Sequence, residues 1–134
     1  MSQVTPNVFV GGFREVMPGF DTYINLSDYE YPMSHRFRIA DYPGTAPNSD
    51  QDLFLSMLPS ILKKFSGRTM VFCNAGQQRS PAVLVAYLMW LYALPLGEAI
   101  QMLRNRRSVV FPRHITYLPA LQKFEQQLLS GRQL

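Results

Sequence analysis

One short segment, Val71 to Ser80, carries side chains that could perform nucleophilic chemistry on a phosphate group. It reads VFCNAGQQRS, so Cys73 follows an apolar run and Arg79 stands six positions after it. A thiolate is a strong nucleophile, and a planar guanidinium offers paired donors that match two phosphate oxygens. Ser80 can donate a hydrogen bond to the same thiolate. These residue types and this spacing predict attack by Cys73 on a phosphoryl group that Arg79 binds.

The residues between Cys73 and Arg79 are expected to bind the phosphate through their backbone. A loop between a strand and a helix N-terminus points successive N–H groups inward, at the positive end of the helix dipole. Small residues in the loop let the backbone close tightly. The predicted phosphate-binding residues are therefore Arg79 and the loop itself: Asn74, Ala75, Gly76, Gln77 and Gln78.

The spacing Cys-x5-Arg-Ser, within VFCNAGQQRSPAVLVAYLM, resembles the phosphate loop and following helix of cysteine-dependent protein phosphatases. The similarity is greatest to the small atypical dual-specificity phosphatases. TPNVFVGG resembles the family's first strand, TYINLS the next strand, and AIQMLRNRRSVVFP the helix and loop after the phosphate site. The resemblance implies hydrolysis of phosphotyrosine and phosphoserine or phosphothreonine in proteins, through a cysteinyl-phosphate intermediate and without cofactor or metal.

The resemblance also implies an upstream aspartate as general acid and base. Asp41 lies 32 positions before Cys73, directly after the run FRIA, and fits that pattern. A carboxylic acid there would protonate the departing oxygen and then activate water. The alternative is that Asp41 only begins the turn Tyr42-Pro43-Gly44. Asp50 and Asp52 are reserve candidates, and their ordinary role would be to cap a helix.

Four features depart from the family pattern. Phe72 stands where the family usually has histidine; it either fills the end of a buried strand or leaves a less rigid loop and weaker activity. Gln77 and Gln78 are expected to add polar groups at the rim of the pocket. Arg113 follows Pro112 where the family commonly has a supporting asparagine. The stretch between Gly12 and Thr22 is short, which predicts an early helix reduced to one turn.

These departures leave other functions open. One alternative is a phosphate-binding pseudophosphatase, an interaction module without turnover; another is a phosphatase of RNA 5′-phosphates or phosphoinositides. Nucleic-acid binding is possible but not favoured, because the clustered arginines lack interleaved exposed aromatic residues and also suit a helix C-terminus. These arginines are Arg104, Arg106, Arg107 and Arg113.

The elements that must position these residues alternate between strand and helix patterns. Strands are predicted at Val8–Val10, Thr22–Leu26, Phe37–Ala40 and Thr69–Phe72. A helix capped by Asp50 carries an apolar stripe that includes Leu53, with a kink or break at Pro59. The run from Pro81 to Leu96 predicts a buried helix rather than a membrane span. Two more helices are predicted. One spans Gly97–Arg107, and the other is capped by Thr116 and ends at Leu129.

Length and composition are consistent with this plan. The chain has 134 residues, 47% of them hydrophobic, which predicts a single domain over residues 1–134. We expect an α/β fold, with a mostly parallel sheet of about four to five strands and helices on both faces. Cys73 is the only cysteine, and His35 and His114 are isolated, so no disulfide or zinc cluster is expected. The net charge of +4 suits phosphorylated partners, and the absence of an evident export signal predicts an intracellular protein, in the cytoplasm or the nucleus.

Overall fold

The structure, a computed structural model, describes residues 1–131. A 3₁₀ turn, Phe13–Glu15, follows the second strand. The strands are β1 (Ser2–Thr5), β2 (Val8–Gly12), β3 (Thr22–Asn25), β4 (His35–Arg36) and β5 (Thr69–Cys73). The helices are α1 (Asn48–Leu62), α2 (Arg79–Tyr92), α3 (Leu96–Arg106) and α4 (Leu118–Leu129).

The strands form one five-stranded sheet in the order β1-β2-β5-β3-β4. Only β1 is antiparallel to its neighbour, so the α/β class and the mostly parallel sheet are confirmed. β5 occupies the centre, where every one of its residues is buried. The carboxyl ends of the parallel strands meet at one edge of the sheet, where ligand sites form in folds of this kind.

The prediction of a strand at Phe37–Ala40 is wrong, because the strand lies at His35–Arg36. The strand β4 ends at Arg36, although the Phe37 amide still donates to the carbonyl of Asn25 at 3.0 Å. Beyond that residue the chain leaves the sheet, and the Ile39 carbonyl accepts a hydrogen bond from Arg79 instead. The segment is therefore drawn toward the loop after β5. The strand β1 was not predicted; three of its four residues pair with β2, and the register shifts between Gln3 and Thr5.

The four α-helices share one hydrophobic core with the inward face of the sheet. α2 lies at its centre, with eleven consecutive buried residues from Arg79 to Met89. Val71 and Cys73 of β5 belong to this core. Because side chains alternate across a strand, Phe72 points to the opposite face, where it packs against Phe13 and Tyr31. On that face the expected helical layer is reduced to the 3₁₀ turn and aromatic side chains.

Several helix ends differ from the predictions. α1 begins at Asn48 rather than Asp50, and it continues through Pro59 to Leu62, so the break considered at Pro59 does not occur. Leu53, which was predicted to belong to the apolar stripe of this helix, is 52% exposed. α2 stops at Tyr92 because Ala93 adopts a left-handed conformation, with φ of 55°. Thr116 does not cap α4; its hydroxyl donates to the Tyr42 carbonyl.

Candidate active site

Cys73 lies at the carboxyl end of the central strand, with its side chain 2% exposed. Its Sγ is 3.2 Å from Ser80 Oγ and accepts a hydrogen bond from the Gly76 amide at 3.3 Å. The helix α2 begins at Arg79, so its N-terminus faces the same loop. Hydrogen bonds and a helix N-terminus both favour a negatively charged sulfur. The structure thus brings Cys73, Gly76 and Ser80 into contact, at the end of the helix that Arg79 begins.

The loop closes tightly because glycines stand at two close approaches. Gly76 has φ of +68°, and an added Cβ would lie 2.5 Å from the Gly11 carbonyl carbon. A Cβ on Gly12 would lie 2.8 Å from the carbonyl oxygen of Asn74, which accepts a hydrogen bond from the Phe13 amide. The end of β2 and the loop after β5 are therefore in direct backbone contact.

Arg79 is the largest polar side chain in the interior, with 1% of the residue exposed. Its Nη1 donates to Asp28 Oδ1 at 3.0 Å and to the Ile39 carbonyl at 3.2 Å. Its Nη2 is 3.8 Å from Asp41 Oδ2. The guanidinium is therefore held from the side of β3 and β4, and a buried, partnered arginine has a defined orientation toward an anion.

Asp28 is a member of the site that the sequence analysis did not identify. One carboxylate oxygen accepts from Arg79, and the other accepts from Asn74 Nδ2 at 2.8 Å. The Asp28 amide donates to Asn74 Oδ1 at 2.8 Å, which closes a two-way link with the loop. The hydrogen bond from Arg79, followed by the one from Asn74, lowers the pKa of Asp28 below its ordinary value. Its place after the parallel strand β3 was an available signal.

Asp41 lies beside Arg79, on a short segment that other side chains hold in place. The Tyr117 hydroxyl donates to the Ala40 carbonyl at 2.5 Å, and burial, the largest cause, raises the pKa of Tyr117. The Asp41 side chain is 54% exposed, which leaves it accessible to a substrate. The reserve candidates have other partners: Asp50 accepts a hydrogen bond from the Tyr42 hydroxyl, and Asp52 pairs with Lys123 at 3.5 Å.

Arg107 supports the loop from beneath instead of facing solvent. Its Nε donates to the Gly76 carbonyl at 3.0 Å, and its Nη2 lies 2.6 Å from Glu15 Oε1. Burial alone would raise the pKa of Glu15, but hydrogen bonds from Arg107, the N-terminal amine and Gly12 outweigh it and lower this pKa to about 2. Arg104 is exposed, but its guanidinium donates hydrogen bonds to the carbonyls of Val110 and Phe111. Two of the four clustered arginines therefore have hydrogen-bond partners in the fold, whereas Arg106 and Arg113 are exposed and have no such partner within residues 1–131.

Of the two glutamines in the loop, Gln78 has a different position from the one expected. The Gln78 side chain donates to the His114 carbonyl at 2.8 Å and accepts from the Thr116 amide at 3.0 Å. It therefore joins the loop to the segment before α4 and does not line the pocket rim with its amide. The Gln77 carbonyl accepts from the Phe111 amide at 3.0 Å. The support from this segment comes from Gln78, because Arg113 is exposed and its side chain makes no hydrogen bond or ion pair within residues 1–131.

Within residues 1–131 there is no cluster of three histidine, cysteine, aspartate or glutamate side chains that could hold a metal ion. Over the same residues, no helix combines the length and apolar character needed to cross a membrane. The arrangement that remains is an anion-binding loop with a buried sulfur at its centre, an oriented guanidinium, and an exposed carboxylate beside it. Those groups suit the transfer of a phosphoryl group to sulfur.

Comparison with known proteins agrees with this chemistry. The family described as the dual specificity phosphatase catalytic domain matches residues 18–127. Human dual specificity protein phosphatase 1 is 36% identical over 69 residues, which are 52% of this chain and 18% of that protein. Human dual specificity protein phosphatase 4 is 36% identical over 69 residues, 52% of this chain and 17% of that protein. The chain thus matches less than a fifth of the length of these curated relatives.

Solved structures resemble the chain over nearly its whole length. Human DUSP28 superposes with a TM-score of 0.72 at 24% identity, covering 98% of this chain and 99% of that chain. The human tyrosine phosphatase-like serine/threonine/tyrosine-interacting protein gives a TM-score of 0.68 at 21% identity, covering 96% and 97%. At these sequence identities, the structural similarity shows a shared fold.

Proposed function

Because the chain belongs to the dual specificity phosphatase family, we propose that it is a cysteine-dependent protein phosphatase. Its substrates are phosphotyrosine and phosphoserine or phosphothreonine monoesters in proteins, and the reaction passes through a cysteinyl-phosphate intermediate. The observation that carries the proposal is the position of Cys73 Sγ, 3.2 Å from the Ser80 hydroxyl and 3.3 Å from the Gly76 amide. A buried sulfur at a helix N-terminus, which accepts a hydrogen bond from a backbone amide and lies within hydrogen-bonding distance of a hydroxyl group, is suited to act as a thiolate.

In the first step the Cys73 thiolate attacks phosphorus. A sulfur–phosphorus bond forms, the bond from phosphorus to the substrate oxygen breaks, and Asp41 gives its proton to that oxygen. Arg79 and the N–H groups of the loop, Asn74 to Gln78, stabilise the charge on the phosphoryl oxygens. The exposure of Asp41 and its 3.8 Å separation from Arg79 support this role.

In the second step water attacks the phosphocysteine. Asp41, now a carboxylate, accepts a proton from the water, the sulfur–phosphorus bond breaks, and inorganic phosphate leaves. The electron pair returns to Cys73 Sγ. The Ser80 hydroxyl can donate to this thiolate at their observed separation of 3.2 Å, whereas its other acceptor, the Gly11 carbonyl, is farther away at 3.4 Å. Ser80 thereby stabilises the leaving group of this step.

The test is hydrolysis of a generic aryl phosphate by the wild type, Cys73→Ser and Asp41→Asn. We expect no measurable turnover for Cys73→Ser and a fall of about 10²- to 10⁴-fold in kcat for Asp41→Asn, the usual contribution of a general acid. Asp52→Asn is the matched control: its carboxylate is exposed, it pairs only with Lys123, and its removal should leave kcat unchanged.

Binding of inorganic phosphate or a phosphopeptide without turnover by the wild type would contradict the enzyme and establish the pseudophosphatase instead. Turnover confined to RNA 5′-phosphates or phosphoinositides would retain the mechanism but replace the substrate class. RNA binding that survives Cys73→Ser and is lost in an Arg106→Gln, Arg113→Gln double variant would favour the nucleic-acid alternative.

We further propose that residues 1–134 form one catalytic domain acting inside the cell, in the cytoplasm or the nucleus. The shared hydrophobic core and the family match over residues 18–127 support the single domain. The single cysteine supports the intracellular location, because a catalytic thiol works in its reduced form and the chain has no second thiol for a disulfide. Phosphorylated proteins are then its substrates.

A further inference from the structure

Two arginines beside the catalytic loop have no hydrogen-bond or ion-pair partner within residues 1–131. Arg36 ends β4 and is half-buried, and its Nε is buried without any hydrogen-bond partner. Arg38 follows two residues later and is exposed. A buried donor without a partner is costly. By contrast, the guanidinium groups of Arg79 and Arg107 each contact a carboxylate and a backbone carbonyl.

Both of these arginines line one cavity of about 350 Å³. Two acidic residues, Asp28 and Asp50, also line it, but each already has a partner. Asp28 accepts hydrogen bonds from Arg79 and Asn74, and Asp50 accepts one from Tyr42. The hydroxyl of Tyr42 is neutral, so Asp50 keeps its negative charge, whereas the charge of Asp28 is balanced by the guanidinium of Arg79. The two arginines outweigh the one uncompensated carboxylate, so the net charge of the cavity is positive, which favours an anion.

The cavity adjoins the catalytic site. Asp28 and Ile39, which line it, are the two partners of Arg79 Nη1. Ala40, also in its wall, directly precedes Asp41. A substrate whose phosphate occupies the loop after β5 would thus present its neighbouring groups to Arg36 and Arg38.

We propose that this cavity is a second anion subsite, which binds an acidic group on a residue flanking the phosphorylated residue of a peptide substrate. The group is a carboxylate or a second phosphoryl group, since a planar guanidinium matches the oxygens of either. The inference rests on the proposed phosphatase function and names a selectivity for it. A peptide fits better than a nucleic acid, because the subsite is one bounded cavity and the guanidinium groups of Arg104 and Arg107 already have hydrogen-bond partners in the fold.

The experiment compares kcat/KM for phosphotyrosyl peptides that differ at one flanking position. Glutamate, phosphothreonine and their neutral counterparts glutamine and threonine are placed in turn one or two residues before or after the phosphotyrosine. At one or more positions, the wild type should prefer the acidic peptide by about fivefold to tenfold, as expected for a partly exposed charge-assisted contact. The preference should decrease as salt rises, since screening weakens attraction between exposed charges.

The same comparison is then made with Arg36→Gln and Arg38→Gln. Each substitution should reduce the ratio of acidic to neutral kcat/KM at the preferred position, and the double variant should bring it near one. Arg36→Lys should restore part of the preference, because the charge returns without the fork of donors. The ratio is the readout, so a loss of folding that slows both peptides equally cancels.

Arg106→Gln is the matched control. Arg106 ends α3 and lines a groove with residues of β1, at the opposite edge of the sheet from β4. It removes the same charge and should leave the ratio unchanged. The proposed subsite is overturned if the ratio of acidic to neutral kcat/KM is near one in the wild type at every position. It is also overturned if the preference for the acidic peptide survives in the double variant. A stronger preference for a phosphoinositide or RNA, lost in the same double variant, overturns its assignment to peptides. An inactive wild type on a generic aryl phosphate instead refutes the underlying function.

Discussion

At the scale of single residues, Asp28 determines how the buried guanidinium of Arg79 is oriented. The Arg79 Nη1 group is occupied by Asp28 and the Ile39 carbonyl, which leaves the other side of the guanidinium for a phosphate. Asp28 also holds Asn74, the first residue of the loop. Because the hydrogen bond from Arg79 lowers the pKa of Asp28, this pairing persists at neutral pH. Asp28 is therefore a positioning residue acting through Arg79.

We predict that Asp28→Asn lowers kcat/KM for an aryl phosphate by about tenfold, the usual cost of a lost charge-assisted hydrogen bond. The inhibition constant of inorganic phosphate should rise in parallel, since Arg79 is no longer held toward the anion. The Tm should change little, because the Asp28 side chain is 64% exposed. Asp52→Asn is the control, and an effect of Asp28→Asn no larger than this control would contradict the positioning role.

At the scale of elements, the catalytic loop is shaped by its contact with the end of β2. Gly76 has a left-handed backbone conformation and also lies against that strand. A Cβ added to Gly76 would be only 2.5 Å from the carbonyl carbon of Gly11. The neighbouring Gly12 is similarly close to Asn74. The strand β2 and the loop must therefore adjust together if either glycine gains a side chain. Phe72, immediately before Cys73, packs on the other face with Phe13 and Tyr31, which accounts for its apolar character.

We predict that Gly76→Ala destabilises the fold by about 2–4 kcal/mol, from backbone strain together with a steric clash. Aryl phosphate hydrolysis should fall at least tenfold at a temperature where the variant is folded, because the Gly76 amide donates to Cys73 Sγ. Gly97→Ala, in the first turn of α3 with open space around it, is the control and should be neutral or stabilising by about 0.5 kcal/mol. Chemical denaturation and steady-state kinetics measure both effects, and equal stability of the two variants would refute this argument.

At the scale of the whole molecule, one ion pair joins segments that are far apart in the chain. Glu15, in the 3₁₀ turn after β2, pairs with Arg107, just after α3, and Arg107 holds the loop through Gly76. Three separate parts of the fold thus meet beneath the phosphate loop. The pair is only partly exposed, with side-chain exposures of 33% and 10% for Glu15 and Arg107. Its contribution to stability should therefore exceed that of a fully exposed pair.

We predict that this ion pair makes the free energy of unfolding depend on pH in the acidic range. The pKa of Glu15 is lowered from 4.5 to about 2 in the folded protein. A lowered folded-state pKa contributes stability that is present above the unfolded value and is lost as pH falls from about 4.5 to 2. Glu15→Gln should cost about 1–2 kcal/mol in the free energy of unfolding at pH 7, after allowance for solvent screening, and much less near pH 2.

Urea denaturation of the wild type and Glu15→Gln across this range measures the effect. Glu98→Gln, at the exposed start of α3, removes the same charge and is the control. A difference between wild type and Glu15→Gln that is constant from pH 7 to pH 2 would show that Glu15 acts through packing alone.

The sequence by itself determined the class of fold and the order along the chain of the proposed catalytic groups. Strand and helix periods are local properties, and so is the spacing from Cys73 to Arg79 within one strand, one loop and one helix start. For this reason the predicted bounds of β2, β3 and β5 differ by only one or two residues from those in the structure. The segment Phe37–Ala40 was misassigned because its strand-like composition is overridden by a long-range hydrogen bond from Arg79 to Ile39.

Only the tertiary structure decided which distant side chains meet the loop. Asp28 lies 51 positions from Arg79, and Glu15 lies 92 positions from Arg107. No local pattern couples such residues, since their contacts arise only once parallel strands bring their carboxyl ends to one edge of the sheet. The same packing turned Arg107 inward and directed Gln78 toward Thr116. It also left Arg36 and Arg38 without a hydrogen-bond or ion-pair partner among residues 1–131. The proposed nucleophile and the proposed phosphate-binding groups therefore lie within one ten-residue segment, whereas the position of Asp41, the support of the loop and the proposed selectivity depend on the fold.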